Sequence, residues 1–384
     1  MFQKSFSQIY SKFSAGGIRL MSVKNRKFRG VLLLAVMALV LSILAGCGGN
    51  NSSSGSEPTA STGSSAAPAA STAPSADLVP VKLQLKWVPQ AQFAGYYVAL
   101  SKGYYKDEGL DVQILPGGPD IVPEQQVAGG SADIGVDWVA SLLTSQEQEM
   151  PLVQIAQIYQ KSGLVLVSKK SANINSPADL KGKRVGNWMG GNEFELLALF
   201  DKYKLDSNKD IKFTKQGFTM DQFLGGELDA ASAMTYNEYQ VVLESGVKAE
   251  DLNVIDMNDE GVAMLEDNLF ANKEWLAANK ETAAKFVRAS LKGWKDAIAD
   301  PAAAVDIVME QAEAGSTTKE HQLKMMEEVA KLIQPEGFDI SKLGYTDEAA
   351  FKQTADIAFK FGVIKKEANL SEAYTNEIMD MASK

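Results

Sequence analysis

The chain has 384 residues, 45% of them hydrophobic and 22% charged, with one cysteine and one histidine. That length suffices for two domains with sizeable cores, while a single Cys and a single His exclude a disulfide framework, a zinc cage and any clustered Cys/His site. Seven of the 38 basic residues and none of the 48 acidic ones fall in the first 46 positions, which leaves the rest at a formal −17. A surface that acidic repels phosphate backbones and argues against nucleic-acid binding.

The chain opens with an address. A basic stretch over 24–29 precedes the apolar run 31–44, which breaks at Ala45-Gly46-Cys47. The run is shorter than the roughly 20 residues of a membrane span, and its charged entrance and small-residue exit read as an export signal over 1–46. Met21 offers a second start, since 21–29 already makes a complete basic region. Leu44-Ala45-Gly46-Cys47 resembles the bacterial lipobox, which implies a lipid on Cys47 and a membrane anchor; the plain alternative is a buried thiol behind an uncleaved anchor. Residues 48–76 are almost wholly Gly, Ser, Ala, Thr, Asn and Pro, with Glu57 the one charge. Such a segment has nothing to bury, and as a flexible coil it spans roughly 30 Å, so 47–79 reads as a tether.

From Val81 onward strands and helices alternate. The pattern predicts strands over 81–87, 110–115 and 132–136, and helices over 93–102 and 121–128, punctuated by Gly103, Pro116-Gly117-Gly118-Pro119 and Gly129-Gly130. The same order returns about 96 residues later: strands over 183–187, 211–214 and 230–234, helices over 193–204 and 220–224. Val127-Ala-Gly-Gly-Ser-Ala-Asp133 aligns with Phe223-Leu-Gly-Gly-Glu-Leu-Asp229 at the same place in each module. Repeated β-α-β-α-β modules predict an α/β chain of two doubly wound sheets. Strands over 152–159 and 164–169, and then 253–257 and 269–271, read as two crossovers between lobes. The first lobe is therefore 80–162 with 268–384, the second 163–267, and the helical remainder from 274 packs back on the first.

Leu85-Lys-Trp-Val-Pro-Gln-Ala-Gln-Phe-Ala-Gly-Tyr-Tyr-Val-Ala99 and Ser101-Lys-Gly-Tyr-Tyr-Lys-Asp-Glu-Gly-Leu-Asp-Val112 resemble the opening of one superfamily. It contains the solute-binding proteins of ABC importers for sulfonates, nitrate, thiamine pyrimidines and riboflavin, and yeast thiamine-pyrimidine synthase shares its fold. The resemblance continues through Gly129-Gly-Ser-Ala-Asp-Ile-Gly135, Leu180-Lys-Gly-Lys-Arg-Val-Gly186, Met234-Thr-Tyr-Asn-Glu238 and Ala289-Ser-Leu-Lys-Gly-Trp294. It implies a type II periplasmic-binding fold, with a ligand held between lobes that close about a two-stranded hinge. In open parallel sheets ligands collect at the carboxyl ends of strands, which agrees.

The residues at those strand ends are the site candidates. Trp87, Gln90, Gln92, Phe93 and Tyr96 follow the first strand and form either a stacking wall with ring-reading amides or a mere cap on the sheet edge. Asp137 and Trp138 follow the third, where Asp137 could instead cap the next helix. Trp188-Met189-Gly190-Gly191-Asn192-Glu193 follows a strand and opens a helix; Glu193 and Glu195 put negative charge in its first turn, against an anionic ligand there, unless they serve only the helix dipole. Tyr236, Asn237 and Glu238 follow the last strand of the second module, a segment that the resemblance marks for ligand contact; solvation of Glu238 is the alternative. Tyr159 and Gln160 stand at the first crossover, while Asp267 and Asn268 suit a turn at the second. His321 reads as an exposed helix residue.

No Gly-x-Ser-x-Gly elbow or P-loop is present, and the one Cys and one His lie away from the cleft positions, so the expectation is a non-enzyme with no cofactor and no metal. Thiamine-pyrimidine binders typically carry Asn-Thr-Asn-His where this chain has Gln90-Ala91-Gln92-Phe93, a version more similar to riboflavin-type binders. The expectation is therefore a monomeric lipoprotein on the outer face of the cytoplasmic membrane. It would capture a planar N-heterocycle, riboflavin-like or a thiamine pyrimidine precursor, for an ABC permease and its ATPase. A sulfonate- or nitrate-type binder, and a ligand-sensing lipoprotein with no transport role, are the alternatives.

Overall fold

The computed structural model describes residues 78–189 and 192–384. The expected signal and lipobox, Cys47 included, and the tether as far as 77 lie outside the described residues, as do Gly190 and Gly191, while Val79 at the expected end of the tether already belongs to the first strand.

Two five-stranded mixed sheets organise the chain. The first takes β1 (Val79–Gln84), β2 (Leu110–Leu115), β3 (Ile134–Asp137), β4 (Leu152–Gln157) and β10 (Asn268–Asn272), in the order β2-β1-β3-β10-β4. The second takes β5 (Leu164–Lys169), β6 (Arg184–Asn187), β7 (Lys212–Lys215), β8 (Ala230–Met234) and β9 (Leu252–Asp256), in the order β7-β6-β8-β5-β9. In each sheet the three module strands run parallel, and the strand arriving from the other lobe, β10 or β5, is antiparallel. The chain crosses twice, after β4 and after β9. β4, β5 and β8 are buried along nearly their whole length, polar members such as Gln154, Gln157 and Ser232 included.

The repeated Gly-Gly-x-x-Asp motif does the same work in both lobes. Asp133 Oδ2 accepts from Lys82 N at 2.8 Å, and Asp229 Oδ2 from Arg184 N at 2.8 Å. Each Asp backbone N–H returns a bond to the same residue's carbonyl. The carboxylate thus satisfies the strand N–H where β3 or β8 has yet to begin pairing. Gly130 and Gly226 take the left-handed turn just before it, at φ +75° and +79°.

Several expected boundaries move by a residue or more, two of them with a clear local cause. The first strand ends at Gln84, because Lys86 and Trp87 turn off the sheet toward the cleft. The helix expected from 121 begins at Pro123, whose ring suits the first helical position and holds Val122 extended. In the C-terminal region the helix Lys280–Ala299 packs on Ala94–Ser101, and Glu377–Ala382 packs on β4, both in the first lobe. Lys319–Ile333 and Glu348–Lys360 also reach the second lobe, at the helices Glu238–Glu244 and Phe194–Lys202.

Candidate functional site

A cavity of about 420 Å³ lies between the two sheets at the carboxyl ends of β1, β3, β6 and β8. Its size falls within the range of small-molecule pockets. From the first lobe come Lys86, Trp87, Gln90, Gln92, Asp137 and Trp138; from the second, Trp188, Met189, Phe218, Tyr236, Asn237 and Glu238. Trp87 and Phe218 approach across the mouth, with ring centroids 5.2 Å apart. Phe218 is 58% exposed, so its ring stands at the rim of the mouth.

The first-lobe wall depends on one close backbone approach. Gly117 donates its N–H to Trp87 O at 2.9 Å, and a Cβ there would fall 2.3–2.5 Å from Leu85 O, Lys86 C and Trp87 N. Only glycine lets the 116–119 loop lie against Lys86 and Trp87. Gly117→Ala is expected to cost about 1–3 kcal/mol in denaturant unfolding, as overpacking does. An unchanged midpoint would show instead that the loop yields freely.

Lys86 is the main electrostatic feature. Its Nζ pairs with Asp267 Oδ1 at 2.5 Å and sits 4.0 Å from the centroid of the Trp138 ring. Asp267 Oδ2 accepts from Gln92 Nε2 at 2.9 Å, and Gln92 Oε1 accepts from Gln90 Nε2 at 2.7 Å. Burial pushes Asp137 up to about 6, against the lowering pull of Lys86. Glu124, buried behind it, is also raised, by desolvation and then by the charge of Asp137. On the opposite wall burial lifts Glu238 to about 6; its oxygens accept from Met234 N at 3.0 Å and Asn237 Nδ2 at 2.9 Å. Met189 takes a left-handed backbone, φ +65°, with its N–H on Asn187 Oδ1 at 2.7 Å, so local strain is held beside the cavity.

Several expected site residues lie elsewhere. Phe93 and Tyr96 belong to the core under the first sheet, where Tyr96 meets Trp294 edge-on at 5.4 Å; an apolar helix face is drawn to the interior before the cleft. Tyr159 is also buried, with its hydroxyl on Gln92 O at 3.0 Å and its ring edge-on to Tyr236. Asn192 turns inward, its Oδ1 accepting from Asn187 Nδ2 at 2.8 Å. Glu193 stands at the start of Phe194–Lys202, outside the cavity lining. Asp137 does not cap the helix Val139–Glu147; its Oδ1 takes the adjacent Trp138 N–H at 2.7 Å instead.

The second crossover is no simple turn, since Asp267 pairs with Lys86 and Asn268 begins β10 with Nδ2 on Asp137 O. His321 is not a free surface residue. Its Nδ1 lies 3.0 Å from Glu244 Oε2 and its Nε2 3.0 Å from Asn237 Oδ1, joining the C-terminal region to the second lobe.

Sequence reasoning missed Lys86, Phe218 and Lys215, all of which line the cavity. Lys86 is hidden because strict alternation places it on the outer face of a strand. The double glycine of 116–119 is the one available signal for that corner, since it marks a close backbone approach.

The NMT1/THI5-like family model matches residues 90–304. The chain belongs to that family. The riboflavin-binding protein RibY of Chloroflexus aurantiacus is 28% identical over 325 residues, covering 80% of this chain and 88% of its own. The formylaminopyrimidine-binding protein of Halalkalibacterium halodurans is 26% identical over 236 residues, or 60% of this chain and 70% of that one. Among solved structures, the putative periplasmic sulfonate-binding protein SsuA of Methylobacillus flagellatus superposes with a TM-score of 0.60 at 16% identity, covering 80% of this chain and 94% of its own. The last likeness establishes the periplasmic-binding-protein fold.

Proposed function

We propose that this protein is the extracytoplasmic, lipid-anchored substrate-binding component of an ABC importer, capturing a planar N-heterocycle, riboflavin first and a thiamine pyrimidine precursor second. The observation that carries the reading is the aromatic cleft: Trp87 and Trp138 from one sheet face Trp188, Phe218 and Tyr236 from the other across a cavity sized for a small molecule. Flat π-faces supply large contact area at little conformational cost, and the few polar groups between them orient a ring. The similarity to a riboflavin-binding and a formylaminopyrimidine-binding protein supports the same class.

A strongly anionic solute such as a sulfonate suits the cleft less well. Lys86 is neutralised by Asp267, and Asp137 and Glu238 face the same space. Capture without chemistry also fits, because His321 is engaged by Glu244 and Asn237 and is not among the cavity-lining residues. An export signal over 1–46, a lipid on Cys47 and the 47–79 tether would hold a monomer near a permease and its ATPase.

The test is a fluorescence titration of the full chain in detergent with riboflavin. Saturable quenching of tryptophan emission is expected, with Trp87→Ala and Trp188→Ala each weakening binding by about 10–100-fold, as loss of a stacking anchor does. Both residues are half-buried, so their melting temperatures should stay near wild type. Absence of quenching by either riboflavin or a 4-aminopyrimidine would overturn the reading.

A further inference from the structure

Two amides and an ion pair on the cleft floor form a chain with only one possible direction. A carboxylate can only accept hydrogen bonds, so Asp267 fixes which end of Gln92 faces it: Nε2 donates to Asp267 Oδ2 at 2.9 Å. That leaves Gln92 Oε1 as the acceptor for its neighbour, and Gln90 Nε2 fills it at 2.7 Å. Gln92 is 3% exposed, so both ends of its amide are spent inside the protein. Gln90 Oε1 takes no hydrogen bond among the described residues, and Gln90 lines the cavity. The negative charge of Asp267 therefore sets the polarity of an atom two side chains away. Asp267 is itself held by Lys86, whose Nζ is buried between Asp267 Oδ1 at 2.5 Å and the Trp138 ring at 4.0 Å.

We infer that the floor reads the donor on one ring edge: Gln90 Oε1 accepts from a ring N–H or amino group, and Asp267, held by Lys86, is the positioning residue that sets this polarity. The inference rests on the proposed heterocycle-binding function and names what selects within it. The imide edge of an isoalloxazine and the amino edge of a 4-aminopyrimidine both carry that donor. A ring edge in which the donor is blocked leaves the Gln90 oxygen buried and unpaired, which a polar site tolerates poorly.

The experiment titrates the full chain with two ligand pairs: riboflavin against 3-methylriboflavin, and a 4-aminopyrimidine against its 4-dimethylamino analogue. In the wild type, whichever parent binds should do so at least about tenfold more tightly than its methylated partner. Asp267→Asn is isosteric and lets the chain run backward. The substituted amide offers its Oδ1 to Lys86 and its Nδ2 to Gln92 Oε1, so Gln92 Nε2 turns to Gln90 Oε1 and Gln90 then presents Nε2 to the cavity. The preference should vanish or invert in that variant. Gln90→Met, which removes the acceptor without touching the ion pair, should weaken the parent and leave the methylated ligand nearly unchanged; it serves if Asp267→Asn fails to fold. Retention of the wild-type preference in a folded variant of either kind would overturn the inference, because methyl bulk alone would then explain it. Failure of both parents to bind wild type would overturn the proposed function, and this inference with it.

Discussion

Trp294→Ala is expected to destabilise the fold by about 3–5 kcal/mol, the range for emptying a large buried aromatic site. Trp294 is 1% exposed and sits where the helices Lys280–Ala299 and Ala94–Ser101 cross. Tyr96 meets it edge-on at 5.4 Å and Tyr159 at 6.4 Å. The pocket for this indole exists because Gly95 has no side chain: a Cβ there would lie 2.1–2.6 Å from three atoms of the ring. The partner glycine makes the crossing tighter still. A Cβ on Gly293 would fall 2.1 Å from Gly95 O and 2.8 Å from Ala99 N. Backbone atoms cannot swing aside as a side chain can, so Gly293→Ala must push the two helices apart, and a loss of similar size is expected. Urea unfolding followed by far-UV circular dichroism would check both. A Trp294→Ala midpoint close to wild type would mean that Tyr96 and Tyr159 collapse into the space, and that the crossing is softer than its packing suggests.

That crossing also marks where the sequence was readable and where it was not. Strands β2, β5 and β8 fall where apolar patterning places them, and the recurring Gly-Gly-x-x-Asp disclosed two similar modules because one carboxylate solves one local problem twice. Trp87, Gln90, Trp138, Trp188, Tyr236, Asn237 and Glu238 stand just past strand ends, and the cavity lies there. Phe93 and Tyr96 share that stretch of chain, yet they turn to the core, because the direction of a helix face depends on what packs above it. Trp294, almost 200 residues on, decides that direction. Asp267 and His321 were opaque for the same reason. Each takes its role from partners far along the chain, Lys86 in one case and Asn237 with Glu244 in the other. A local pattern carries no record of such pairs.

Glu266→Gln is expected to flatten the stability profile between about pH 4.5 and 7. Both crossovers meet at this carboxyl. Ser162 Oγ lies 2.8 Å from Glu266 Oε1 and 3.0 Å from Glu195 Oε1, and Gly163 N donates to Glu266 Oε1 at 2.8 Å. Ser162 has one proton and cannot donate to two carboxylates at once. The arrangement closes if Glu195 carries a proton, donates it to Ser162 Oγ, and Ser162 donates on to Glu266. Burial raises Glu195 well above the ordinary range, with the charge of Glu266 adding to it. Burial likewise lifts Glu266 to about 7, with Lys86 opposing and Asp267 reinforcing the shift.

The sign follows from linkage. Unfolded, this carboxyl loses its proton near an ordinary pKa of about 4.3; folded, it keeps it to about 7. Between those values the folded chain binds more protons than the unfolded one, so the favourable contribution is full below that range and is lost as pH rises toward 7. A shift of this size corresponds to about 3–4 kcal/mol at a buried site. Asp137 and Glu238, raised to about 6, add slopes of the same sign. The surface aspartates held low by ion pairs, such as Asp201 and Asp229, act oppositely, as pH falls through their lowered values, and so leave the window above about 4.5 to the raised groups. Glutamine reproduces the protonated form, with Oε1 still accepting from Ser162 and Gly163. Relative to wild type the variant should therefore gain about 3 kcal/mol between pH 4.5 and pH 8, read from urea midpoints at the two ends. Parallel profiles for the two proteins would mean that Glu266 ionises in the hinge without penalty, and that Ser162 is not committed to it.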